Sequence, residues 1–155
     1  MRNRNEIPAE LKWDFTHIFK TKEDWEKAYS EVESEISALS ALKGTLGESA
    51  DSLAKAYDTL FGFYEKFEPV ADYAFLKKTI DGGDSEAQAM GDRVNMLAVK
   101  ASSAAAFFDP ELMEIPEEKL AEFMKSDKMK KYAHIVEDAT RLRAHVLDEK
   151  SEGIL

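Results

Sequence analysis

The chain has 155 residues, 31 Asp and Glu against 21 Lys and Arg, a net charge of −10 and no cysteine. That length suits one domain able to bury about 68–70% of its unfolded surface. The missing thiols exclude disulfides and thiolate metal sites, and the acidic balance opposes binding to nucleic-acid phosphates or anionic lipid. The opening MRNRNEIPAELKW lacks the apolar stretch of a signal peptide, and no apolar run reaches the ~18 residues of a membrane span. A cytoplasmic location, with neither nucleic acid nor membrane as partner, is the expectation.

The residues predict an all-α fold: an antiparallel helical bundle in a single domain over 1–155, with an irregular N-terminal arm over 1–20. Ile7-Pro8 keeps the arm extended, because a residue before proline avoids the helical region. Leu11, Trp13, Phe15, Ile18 and Phe19 are too apolar for a free tail, so the arm is expected to lie on the helices and bury Trp13. The first helix is predicted over 22–43, opened by a Thr21/Asp24 capping box. Its stripe runs through Trp25, Ala28, Tyr29, Val32, Ile36, Leu39 and Leu42 at three- and four-residue steps, and Gly44 and Gly47 end it.

The second helix is predicted over 49–80, with Leu53, Ala56, Tyr57, Leu60, Phe61, Tyr64, Val70, Tyr73 and Ala74 on its apolar side and a kink at Pro69. Asp81-Gly82-Gly83-Asp84 reverses the chain. The third helix follows over 85–108, with Ser85 and Gln88 as its capping box and Met90, Val94, Leu97, Ala101, Ala104 and Phe108 facing inward. Helices two and three form a long hairpin. Asp109-Pro110 is read as a break, followed by a short helix over 117–124 and another over 128–144. Asp148, Glu149 and Glu152 suit the start of a truncated helix over 148–155.

The closing helix carries most of the polar residues worth weighing. His134 and Glu137 share a face, but two ligands do not make a zinc site, which needs at least three protein ligands. A His134–Glu137 hydrogen bond on a polar face is the simpler reading. Glu137 and Arg141 stand four apart in the favourable acid-first order. Arg141 and Arg143 are also suited to grip a peptide carboxylate or a partner domain. The aromatic excess at Phe61, Phe63, Tyr64 and Phe67 points to burial on more than one side. With no paired nucleophile and no His-Glu-x-x-His, the residues present an acidic, helical, non-catalytic domain.

Four stretches taken in order carry a resemblance. They are NEIPAELKWDFTHIFKTKEDWEKAYSEVE, LSALKGTLGESADSLAKAYD, AAAFFDPELMEIPEEKLAEF and KYAHIVEDATRLRAHVLDEKSEGIL. Their order and spacing resemble the N-terminal helical region of the oligoendopeptidase F family of zinc metallopeptidases. The resemblance implies a longer parent that hydrolyses short peptides, with a zinc ion held by a His-Glu-x-x-His helix and a later glutamate. None of that machinery falls on this chain, so no catalytic residue, metal ligand or cofactor is assigned to it. The implied partners are a missing C-terminal catalytic domain and oligopeptide substrates, with this region forming part of a channel wall. Tyr132, His134, Glu137, Arg141, Arg143 and His145 match the family pattern and are the candidates for contact with peptide or domain. A free-standing helical binding module is the alternative.

Overall fold

The computed structural model describes residues 7–141 and 143. Among the described residues there is no strand. The α-helices are α1 (Lys22–Ser40), α2 (Ala50–Ile80), α3 (Ser85–Ala105), α4 (Phe108–Glu114), α5 (Glu117–Phe123) and α6 (Ala133–Arg141), with 3₁₀ turns at Ala9–Leu11, Phe15–His17 and Asp127–Tyr132. The residue contacts cluster into two compact units. The first takes the chain up to Ser34 together with Tyr64–Ala98, and the second takes Glu35–Phe63 and the chain from Val99 onward. Helices α1, α2 and α3 each contribute a segment to each unit.

The first unit is built on Trp25. It is fully buried, and its indole N–H donates to the Val70 carbonyl at 2.9 Å, so the one polar atom of a large side chain is satisfied inside the core. Tyr29 and Val32 continue the α1 stripe; Val70, Tyr73 and Ala74 answer from α2, and Ala87, Met90 and Val94 from α3. Arg93 closes the edge. Its guanidinium donates to both Glu26 carboxylate oxygens, at 2.7 and 2.8 Å, and lies 4.2 Å from the Tyr29 ring centre and 5.0 Å from that of Trp25. A planar cation can do both because carboxylate recognition uses the edge of the fork and stacking uses its face.

The expected Thr21/Asp24 capping box forms reciprocally: each backbone N–H meets the other residue's side-chain oxygen at 3.1 Å. The cap of α3 differs from expectation. Asp84, rather than Ser85, accepts from the Glu86 and Ala87 N–H groups, and Gln88 reaches back to the Gly82 carbonyl. The reason is reach, since the carboxylate one residue earlier lies in line with the free donors of the first turn. Helix α2 passes through Pro69 as one uninterrupted element.

The arm also departs from its prediction. Trp13 is 64% exposed and Leu11 71% exposed. Phe15 and Phe19 dock instead, both edge-on to Tyr73 with ring centres 5.7 and 5.4 Å away. An edge-to-face contact needs the ring directly over its partner. The 3₁₀ turn capped by the Asp14 side chain sets Phe15, not Trp13, at that point.

The second unit has a continuous core. Leu42, Leu46, Leu53 and Tyr57 pack with Phe108, Leu112, Ile115, Leu120, Met129, Tyr132 and Val136. Ser49 caps α2 through its hydroxyl, which accepts from the Ser52 N–H at 3.1 Å, so the helix begins one residue later than predicted. The 105–108 region corrects a second boundary. The chain turns at Ala106-Phe107, and Asp109-Pro110 lies inside α4 rather than breaking the chain. Proline is accommodated there because the first-turn N–H groups have no partner within the helix. Glu111 then accepts from the Gly44 and Leu46 N–H groups, both at 2.7 Å. One carboxylate thus holds the loop after α1, where Gly44 adopts φ +85°, a conformation that favours glycine.

Candidate functional site

The six residues singled out in the sequence do not form one constellation. Tyr132, at the end of the Asp127–Tyr132 turn, is a core residue. Its ring stacks on Tyr57 and Phe61, with centres 4.8 and 5.8 Å apart, and its hydroxyl donates to the Asp58 carboxylate. Lys131 pairs with the same carboxylate at 2.5 Å and sits over the Tyr132 ring. These contacts hold the Asp58 carboxyl below the usual carboxylate range, first through Lys131 and then through Tyr132. Burial, reinforced by the Asp109 charge, pushes the neighbouring Tyr57 phenol up to about 12.

His134 and Glu137 are on the exposed side of α6, with Val136 buried between them. The expected tie between the two is replaced: His134 Nε2 lies 3.5 Å from Asp138 Oδ2. Arg141 likewise faces Asp138, at 3.7 Å, rather than Glu137. Asp138 stands one helical turn from each and lies between them, so one carboxylate serves both side chains. His145 lies outside the described residues. Among the described residues no three His, Cys, Asp or Glu side chains are grouped to hold a metal ion.

Arg143 is different. It lines a cleft of about 380 Å³ between α5 and α6, together with Glu117, Leu120, Ala121, Met124, Ala133, Val136, Glu137 and Thr140. Its Nη2 donates to the Leu112 carbonyl at 3.1 Å. Its Nε is buried and has no hydrogen-bond partner, and among the described residues no carboxylate pairs with it. A buried donor left unmatched is uncommon and costs about 1–3 kcal/mol unless something accepts from it. Leu120 and Met124, four apart on α5 and its flank, and Val136 and Thr140, four apart on α6, make the two walls. That double i, i+4 pattern is the signal by which the cleft is readable in the sequence, although only Glu137 and Arg143 were singled out there.

The all-helical architecture matches solved structures. The crystal structure of oligoendopeptidase-F from Enterococcus faecium superposes with a TM-score of 0.73 at 28% identity, covering 87% of this chain and 27% of that one. A crystal structure from Chlamydophila abortus superposes with a TM-score of 0.83 over 99% of this chain and 26% of the other, and its 22% identity supports the fold alone. The class thus defined is the helical N-terminal region of a peptidase.

Sequence comparison narrows the class. The family model described as Oligopeptidase F matches residues 111–155. Oligopeptidase PepF of Bacillus subtilis is 36% identical over 154 residues, which is 99% of this chain and 23% of that protein. The plasmid-encoded oligoendopeptidase F of Lactococcus lactis is 32% identical over 156 residues, 99% of this chain and 26% of that protein. The chain spans about a quarter of the length of these relatives. Along 99% of its length the chain resembles the N-terminal region of oligoendopeptidase F proteins.

Proposed function

We propose that this chain serves as the non-catalytic N-terminal region of a zinc-dependent oligoendopeptidase and forms part of the wall that receives oligopeptides. The observation that carries the reading is the match along 99% of the chain to proteins named oligopeptidases or oligoendopeptidases. Hydrolysis, zinc and peptide substrates belong, in this reading, to a longer protein. The chain supplies shape and contact, and Glu137 and Arg143 are its peptide-facing residues. Tyr132 positions the α6 region by stacking, while His134 and Arg141, tied to Asp138, serve its outer face. No described helix is long and apolar enough to cross a membrane. The proposed location is the cytoplasm, in keeping with the lack of cysteine.

The test is to express the chain joined to the coding sequence that follows it and assay cleavage of a fluorogenic oligopeptide with and without a chelator. Chelator-sensitive cleavage by the joined protein, and none by the 155-residue chain alone, is the expected result. A following reading frame without His-Glu-x-x-His would sink the reading.

A further inference from the structure

We infer that the α5–α6 cleft is a binding site for a short peptide with a free C-terminal carboxylate and an apolar side chain, with Arg143 as the carboxylate ligand. The inference deepens the reading above and rests on it for peptides as the ligand class.

Three observations converge. First, Arg143 is an arginine without an acid among the described residues, in a chain with 31 Asp and Glu. Its buried Nε–H is free, and the Leu112 carbonyl occupies one donor of one terminal nitrogen. Nη1 has no partner among the described residues, so the guanidinium keeps a charged donor for a carboxylate oxygen. Second, Leu120, Met124 and Val136 line the same cleft, so the space beside the guanidinium is apolar. At about 380 Å³ it falls at the small end of ligand sites, enough for two or three residues and too little for a long segment. Third, Glu117 and Glu137 line the cleft and are exposed. They disfavour a ligand that is only anionic and favour one that also carries a cation. A short peptide has these features together: a carboxylate for Arg143, an apolar side chain for the walls and an α-ammonium for the glutamates.

The experiment is a ¹⁵N NMR titration of the 155-residue chain with the dipeptide Ala-Leu, its C-terminal amide and its N-acetyl form. Ala-Leu is expected to shift backbone amides of α5 and α6 together with the Arg143 Nε–H. Amidation is expected to weaken binding about tenfold or more, as loss of a charge-assisted pair does. Acetylation should weaken it less, because the glutamates are solvated. Arg143→Lys should bring the free dipeptide down to the level of the amide. Ala121→Phe, which fills the cleft from an exposed position and leaves Arg143 intact, should abolish binding while the helical circular dichroism is unchanged.

Equal affinity for the acid and the amide would overturn the inference, as would shifts confined to residues away from α5 and α6. In the latter case peptide contact elsewhere on the chain survives, and with it the broader reading. No shift at millimolar dipeptide would also overturn it, whereas the broader reading stands or falls on the chelator-sensitive cleavage assay.

Discussion

Arg93 in the first unit and Arg143 in the second show two uses of one side chain. Arg93 has its fork filled by Glu26 and its face covered by Tyr29 and Trp25. Both its terminal nitrogens and its stacking face have partners of the same unit, so it is a fastener. Arg143 reaches one backbone carbonyl and keeps a buried donor unmatched beside an apolar cleft. A satisfied arginine has little left to offer a ligand, whereas an unsatisfied one gains from meeting an acceptor. The difference lies not in residue type or in net charge but in whether a carboxylate was placed within the reach of the fork.

The largest effect should come from removing the platform on which Arg93 rests. Trp25→Ala deletes a fully buried ring and orphans the contact to the Val70 carbonyl, and large-to-small changes of this kind cost roughly 3–5 kcal/mol. Urea denaturation followed by circular dichroism measures it; a loss below about 1 kcal/mol would mean that the first unit is not organised around this residue.

The arginine comparison itself is tested by parallel lysine variants. Arg93→Lys loses the paired bonds and two ring contacts and should cost about 1–2 kcal/mol, reduced by added salt because Arg93 and Glu26 are both partly exposed. Arg143→Lys should cost less, about 1 kcal/mol or under, with no salt dependence, since the bond lost goes to a carbonyl. Identical salt responses in the two variants would erase the distinction.

The smallest effect is set by pH in the second unit. Asp58 has a lowered folded-state pKa through Lys131 and Tyr132, so its contribution is fully present above the ordinary carboxylate value of about 3.9. It is lost as pH falls through the folded value, because the unfolded chain takes up the proton first. Asp58→Asn should therefore lower the melting temperature slightly at neutral pH and flatten its fall below about pH 4. Melting curves from pH 2 to 7 measure this, and parallel curves for variant and parent would show that Asp58 carries none of the acid sensitivity.

Much of the fold was legible because its causes are local. The α1 stripe from Trp25 to Leu39 follows helical spacing, and the Thr21/Asp24 box forms as its three-residue spacing requires. Errors came where one local signal competes with another close by. Asp84 outreached Ser85 as a cap, and Pro110, a breaker in mid-helix, became harmless in a first turn. The arm aromatics could not be ranked by hydrophobicity: Trp13 is the largest of them yet stays outside, because docking was decided by where Tyr73 stands.

The site divides along the same line. The sequence by itself determined an all-helical, acidic chain without thiols, the faces of its helices and the order of motifs that carries its resemblance to oligoendopeptidase F proteins. Those properties follow from residue type and spacing along one segment. Only the tertiary structure decided that Asp58 takes both Lys131 and Tyr132, that Glu111 holds the Gly44–Leu46 loop from more than sixty residues away, and that Arg143 keeps a buried, unmatched donor beside Leu120 and Val136. Pairing depends on distances between segments, which spacing along the chain does not encode. A charged fork becomes a fastener or a binding group according to what packing brings within about 3 Å of it.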